Sequence, residues 1–471
     1  MSLTSARLDE LATQPELIAH ENVNDLFSLS RSDCEHFQLA ALQTRFAQLR
    51  DKVPALKKLA DGIGAEKISS LAAAAPLLFQ HVIYKSYPLA LIERGDFVRL
   101  NSWLNGLTTH DLSHLDVSHI KCIDDWLQYL DDNTPVRVVH STGTTGKLSF
   151  LPRSMAEMPT YVKTVWAFYA GFRDEPDLTP EPGLCIAIPA YKRGYNSAPR
   201  MLQAMKTEWK IADEDTLTLY DLMSADLMSL AGRLRTAEAK GEVGKLSNSP
   251  EMQALRNRLA QQNANHQNAL ETFFERAISQ FGGRRVWMMG SVPMIYKAAE
   301  AAKARGLSHV FDKRSLVQVG GGLKGEKFPP DFMQTIRDFV GVETIREGYG
   351  MTEMITFNGI CPQGKFHLPP QLIAYVMDPD TGELMTQKGV QSGRFGYIDL
   401  LAQTYWGGFL TGDFVTIDWD HHCLCGRSGG PVLHGKVQRL TEQRGGDDKI
   451  SCSGGADDAH DRAVKFLLNG S

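Results

Sequence analysis

The seven residues from Ser141 to Lys147 read STGTTGK and stand between two runs of strand character, VRVVH and LSFLPRS. Gly143 and Gly146 let consecutive backbone N–H groups converge with little side-chain obstruction. The hydroxyls of Ser141, Thr142, Thr144 and Thr145 and the ammonium of Lys147 add donors suited to phosphate oxygens, so the chemistry on offer is anion cradling. The P-loop pattern GxxxxGK[ST] is not met, because the position five before Gly146 is Ser141 and the residue after Lys147 is Leu148. Taken alone, a Thr/Gly-rich turn is more commonly a plain surface loop.

A second set of chemically capable residues is Cys361 and His367 in CPQGKFH, with Cys423 and Cys425 in DHHCLCGR. Three thiols and an imidazole could complete a tetrahedral, closed Cys3His metal site, with His422 as a reserve ligand. Zinc pairs more often read CxxC, and free cysteines are usually small buried residues, so the spacing leaves both readings open.

These residues must be positioned by the elements around them. Residues 1–130 alternate amphipathic helical patches such as CEHFQLAALQTRFAQLRDKV with short polar breaks, and form a helical front section. From Val136 short β-branched runs succeed one another: VRVVH, GLCIAIPA, RRVWMMG and SLVQVGGG. The later ones lead into helix-like stretches such as PMIYKAAEAAKARG. Strand, turn and helix in repetition predict an α/β core over 131–450, with a mostly parallel sheet covered by helices. Within it, 213–280 reads almost entirely as a helical excursion, and 366–440 as a smaller antiparallel β section. Residues 451–471 form a short tail.

At 471 residues the chain is long enough to bury a substantial core, and 43% hydrophobic and 22% charged residues are ordinary for a globular protein. A net charge of −5 offers no global attraction to polyanions, which argues against nucleic acid as main partner. Seven cysteines without dense spacing form no disulfide framework and fit a reducing compartment, so a cytoplasmic location is expected. No export signal and no apolar run long enough to span a bilayer is visible, so no membrane association is expected.

Three stretches in order carry a resemblance: STGTTGK at Ser141–Lys147, EGYGMTE at Glu347–Glu353 and GGFLTGD at Gly407–Asp413. They resemble the three signature motifs of the adenylate-forming enzymes, which include acyl-CoA synthetases and the adenylation domains of nonribosomal peptide synthesis. The helical front section, the PRS at Pro152–Ser154, the run VGGGLKGE and the stretch CLCGR are most similar to the branch holding phenylacetate CoA ligase and the acyl-protein synthetases of bacterial bioluminescence.

The resemblance implies ATP as the ligand of the Ser141–Lys147 loop and Mg²⁺ beside it. It implies catalytic roles for Lys147, Thr352 and Glu353, with Glu353 holding Mg²⁺, and an adenine platform from Gly321, Gly322 and Leu323. Tyr349, Gly350 and Met351 would line the nucleotide and acyl pockets, and Asp413 and Arg444 would hold the ribose. The same branch carries a Cys and a His after its tyrosine motif and a CxCGR stretch, which implies structural Zn²⁺ on Cys361, His367, Cys423 and Cys425. Singly, Thr352 reads as a helix cap, Glu353 as a solvated carboxylate and Asp413 as a turn residue; jointly and in this order they read as one site.

The expected activity is AMP-forming activation of a carboxylic acid by MgATP to an acyl-adenylate, with subsequent acyl transfer to a thiol, either CoA or a protein cysteine. The alternatives are an amide synthetase passing the acyl group to an amine, and a nucleotide-binding remnant without catalysis. Met and aromatic residues in GYNSAPRMLQAM, WMMGSVPM and the tyrosine motif favour an apolar or aromatic acid. The family usually adds a mobile domain that brings a catalytic lysine to the α-phosphate. Here QRGGDDKISCSGG resembles the hinge before it, with Asp447 or Asp448 at the pivot. The stretch beyond this hinge, ADDAHDRAVKFLLNGS, is barely one helix, so that domain is expected to be absent or vestigial. Lys465 in the tail, the loop itself or a partner protein would then supply the missing function, and Cys452 is a candidate for self-acylation.

Overall fold

The computed structural model describes residues 3–141, 147–169, 183–241, 269–320, 327–435 and 437–440. Two sheets and a hairpin organise them. The strands are β1 (Phe79–Gln80), β2 (Val136–His140), β3 (Phe150–Ser154), β4 (Cys185–Arg193), β5 (Thr216–Leu222), β6 (Val286–Ser291), β7 (Leu316–Gly320), β8 (Ile345–Tyr349) and β9 (Asn358–Gly359). They continue with β10 (Lys365–His367), β11 (Leu372–Met377), β12 (Val390–Asp399), β13 (Gly408–Asp418), β14 (Val432–His434) and β15 (Gln438–Arg439).

The first sheet has the order β5-β4-β6-β7-β8-β9, parallel throughout except for β9. Its inner strands are runs of apolar residues with no polar alternation, as expected where both faces are covered by helices. The chain adds β5 on one side of β4 and then β6, β7 and β8 on the other, so the order reverses between β4 and β6. In open parallel sheets, ligands settle beyond the carboxyl ends of the strands near such a reversal. Here Ser291, Gly320 and Tyr349 end their strands on that edge.

The second sheet is antiparallel, in the order β10-β14-β13-β12-β11, with β1 and β15 also pairing with β13. Gly407 is required at its entry. A Cβ there would overlap the Asp399 carbonyl oxygen, and the Gly407 carbonyl accepts from the Asp399 N–H at 3.0 Å. The helix Arg31–Leu49 lies on this sheet, burying Phe37, Ala41, Leu42 and Phe46 at helical spacing. Its buried polar residues are satisfied by the sheet and its neighbours: Gln38 donates to the Pro370 carbonyl at 3.1 Å, and Arg45 to the Leu400 carbonyl at 3.1 Å and to Glu16 at 2.6 Å. The hairpin β2–β3 pairs Val136 with Ser154 and His140 with Phe150.

Two expectations need correction. The stretch 213–280 opens with a strand, because Thr216–Leu222 puts Thr, Leu and Tyr in a short run that extends the parallel sheet as β5; helices come after it at Ala225–Lys240 and Ala269–Phe281. The helical front section also contributes a strand, since Phe79 and Gln80 pair in parallel with Phe409 and Leu410. Among the described residues, no helix is long and apolar enough to cross a membrane.

Candidate functional site

Lys147 leaves the β2–β3 hairpin just before β3. Its ammonium donates to the Tyr87 carbonyl and lies 4.6 Å from the centre of the Tyr87 ring. The Tyr87 hydroxyl in turn donates to the Leu148 carbonyl at 2.9 Å, so segment and hairpin hold each other. Burial, and then the charge of Lys85, lower the pKa of Lys147. Ser141 closes the mouth of the hairpin: its N–H donates to the Ser149 carbonyl at 3.1 Å and its hydroxyl accepts from the Ser149 N–H at 2.9 Å. Thr142, Gly143, Thr144, Thr145 and Gly146 lie outside the described residues.

The end of β8 carries the second motif. The buried Tyr349 hydroxyl donates to Asp413 Oδ2 at 2.8 Å, while Arg439 Nη1 donates to Asp413 Oδ1 at 2.8 Å from the register partner of Asp413 on β15. Burial and the Asp413 charge push the Tyr349 phenol well up.

Thr352 comes next, its hydroxyl 3.1 Å from that of Ser197 at the start of the helix Ser197–Trp209. The Glu353 carboxyl is raised by burial, and Arg439, Lys85 and Arg153 pull it partly back. Met351 packs half-buried against the core and accepts at its carbonyl from the Met354 N–H at 3.0 Å. Gly350 faces the Phe357 ring.

Contacts tie the three motif segments together: Arg153 in β3 donates to the Thr352 carbonyl at 2.8 Å, and Tyr349 to Asp413 at 2.8 Å. Beside the larger effect of burial, the charge of Lys85 lowers the pKa of both Lys147 and Glu353, and Arg439 lowers that of Glu353 while donating to Asp413. Neither motif pattern nor spacing points to Lys85, Ser197 or Arg439, and Arg153 stands in the sequence only as the arginine of the PRS stretch. Lys85 ends the short turn Ile83–Lys85, whose Tyr84 is tied to the Trp406 carbonyl at 3.1 Å and stacked on Phe409. Gly321, Gly322, Leu323, Arg444, Asp447, Asp448, Cys452 and Lys465 lie outside the described residues.

The cysteine and histidine set comes together. The ligand atoms of Cys361, His367, Cys423 and Cys425 all lie within 4.8 Å of one another. The Cys361 and Cys423 sulfurs are 3.8 Å apart, and Cys425 Sγ is 3.3 Å from His367 Nε2. Thiolates bound tetrahedrally at about 2.3 Å require sulfurs about 3.8 Å apart, so the donor set fits a closed four-coordinate ion. Two tight turns present it. The Cys361 carbonyl accepts from Gly364 N–H at 2.8 Å, that of Cys423 accepts from Gly426 N–H at 3.1 Å, and both glycines have positive φ, +69° and +83°. Burial pushes the Cys425 thiol up to about 12 and lowers His367 to about 4. Burial penalises a lone thiolate and keeps an imidazole neutral. His422 is not one of the four.

No family model and no curated protein matches the chain. Solved structures do. An open conformation of 2-hydroxyisobutyryl-CoA ligase, in complex with 2-HIB-AMP and CoA, superposes with a TM-score of 0.50 at 12% identity, covering 90% of this chain and 74% of its own. The same ligase in its thioesterification state, with the same two ligands, gives a TM-score of 0.50 at 13% identity over 88% of this chain and 69% of its own. At such identity the likeness is one of fold.

Proposed function

We propose that this protein activates a carboxylic acid with ATP and Mg²⁺, forming an acyl-adenylate and pyrophosphate, and then passes the acyl group to a thiol, CoA or a protein cysteine, with release of AMP. The observation that supports this reading is a pair of contacts between the motif segments: Arg153, on the hairpin strand that follows Lys147, donates to the Thr352 carbonyl at 2.8 Å, and the Tyr349 hydroxyl donates to Asp413 at 2.8 Å.

In the first step the carboxylate oxygen of the acid attacks the α-phosphorus in line, so no side-chain nucleophile is needed and positioning with charge neutralisation sets the rate. Ser141, Lys147 and residues 142–146 would take the phosphate oxygens, Gly321, Gly322 and Leu323 the adenine, and Asp413 with Arg444 the ribose hydroxyls. Tyr349, Gly350 and Met351 would line the pocket. Glu353, beside Thr352, would hold Mg²⁺, which neutralises charge on the phosphates when bound. An apolar or aromatic acid is the preferred substrate class. Cys361, His367, Cys423 and Cys425 would hold one structural Zn²⁺, a choice set by three soft sulfurs in a tetrahedral set.

The test is acid-dependent exchange of labelled pyrophosphate into ATP across fatty, aromatic and amino acids. Exchange with at least one class is expected, and its absence with every acid would remove the ligase reading. Product assays with CoA and with amines then assign the acceptor.

A further inference from the structure

We infer that Arg153 is a positioning residue for the motif carboxylate Glu353, a role that rests on the proposed binding of a divalent cation with ATP at Glu353. Arg153 is fully buried in β3, where it pairs in register with Arg137. One nitrogen of its guanidinium, Nη2, donates to the Thr352 carbonyl at 2.8 Å and also to the Met354 carbonyl, so it grips the backbone on both sides of Glu353. The guanidinium lies 4.4 Å from the centre of the Tyr161 ring, with the hydroxyls of Tyr161 and Tyr405 among its neighbours.

A buried cation is costly unless its charge is offset; the Tyr405 and Tyr161 hydroxyls and the Glu157 carboxylate do this for Arg153, and Nη2 is committed to the two carbonyls. What this geometry achieves is transmission of position. Lys147 and Arg153 stand on the same short hairpin, so the clamp at 352–354 fixes the backbone that carries Glu353 relative to the segment that carries the ammonium. The adjoining amides are pinned independently, since Ile355 and Thr356 N–H both donate to Asp399 Oδ2 at 2.8 Å. Arg153 is the group that holds the carbonyl side of the segment. Groups that orient a metal ligand without touching the metal commonly contribute 10–100-fold, so about tenfold, in metal affinity.

The test measures Mn²⁺ binding by electron paramagnetic resonance in the presence of ATP, on the full chain, alongside thermal melts. Arg153→Met is expected to weaken ATP-dependent Mn²⁺ binding about tenfold. Arg153→Lys should recover part of that loss. Tyr161→Leu, which removes the ring beneath the guanidinium and its hydroxyl, should weaken Mn²⁺ in the same direction by about threefold, a share of the positioning effect. If Arg153→Met does not fold, the other two variants decide. Glu353→Gln is the reference: if it weakens Mn²⁺ while folded Arg153 and Tyr161 variants bind as the wild type does, the positioning role is overturned and the Glu353 reading stands. If Glu353→Gln leaves Mn²⁺ affinity unchanged, or the wild type shows no ATP-dependent Mn²⁺ binding, the reading of Glu353 falls and this inference with it.

Discussion

Asp413 shows how much a single side chain is asked to do. It is buried, yet each oxygen already meets a donor, Tyr349 on one side and Arg439 on the other. Tyr349→Phe removes one hydrogen bond to a charged group while leaving the ring, and should cost about 1–3 kcal/mol of stability in urea unfolding. Because the carboxylate then turns more freely, the same variant should raise the ATP concentration needed for half-maximal pyrophosphate exchange. Glu353 makes a prediction about acidity. Burial raises its carboxyl, so it takes up a proton at a higher pH than an exposed glutamate, and only the deprotonated form ligates Mg²⁺. Exchange at limiting Mg²⁺ should therefore fall on the acid side earlier than at saturating Mg²⁺, and the gap between the two pH profiles measures this.

Between elements, the joint between the helices Ile123–Asn133 and Ala225–Lys240 is made of two carboxylates in exchange. Asp226 accepts from the N–H groups of Ile123 and Asp124, while Asp124 accepts from Ala225 N–H at 2.7 Å and from the Ser224 hydroxyl. Each helix start is thus capped by the other's acid. Burial and the neighbouring Asp226 charge push Asp124 up to about 7. The folded state then holds a proton that the unfolded chain releases near the ordinary carboxylate range, so between roughly pH 4 and 7 this pair makes stability fall as pH rises. Asp124→Asn mimics the protonated form, and should flatten that slope in urea titrations at pH 5 and pH 7.5.

The same scale explains what the sequence disclosed. Strands β4, β6 and β7 were legible because β-branched and aromatic runs next to glycine point to one state. Strand β5 was not, because Thr216–Leu222 is brief and lies among helix-forming acidic and polar residues, and pairing with β4 decides its conformation. The three motif stretches could be picked out by order and by resemblance, and the Cys and His residues that come together by type, although spacing alone left the metal reading open. Lys85, Ser197 and Arg439 could not, since their roles come from contacts with segments distant in the chain.

On the scale of the whole molecule, the cysteine and histidine site sits at a seam. The turn Cys423–Gly426 leads into Arg427, whose guanidinium lies 4.3 Å from the centre of the Phe27 ring, and into Ser428, whose N–H donates to the Phe27 carbonyl at 2.7 Å. Gly429 passes so close to the Leu29 carbonyl that no side chain fits. Arg31, opening the next helix, reaches the Trp419 carbonyl at 3.1 Å and the Gln387 carbonyl at 2.8 Å. Stripping the proposed Zn²⁺ with a chelator, or Cys423→Ser, should therefore lower the melting temperature and expose the Phe27–Arg31 segment to protease. Metal content measured on purified protein should be one Zn²⁺ per chain, and zinc-free protein with the same melting temperature would refute the structural role.

That seam also sets a timetable for synthesis. Phe27 and Ser428 are 401 positions apart, so the first helices emerge from the ribosome roughly 20–80 s before their clamp exists, at about 5–20 residues per second. Throughout that interval the greasy side of Arg31–Leu49 has no complete sheet to lie on, and its burial must wait for strands that are made last.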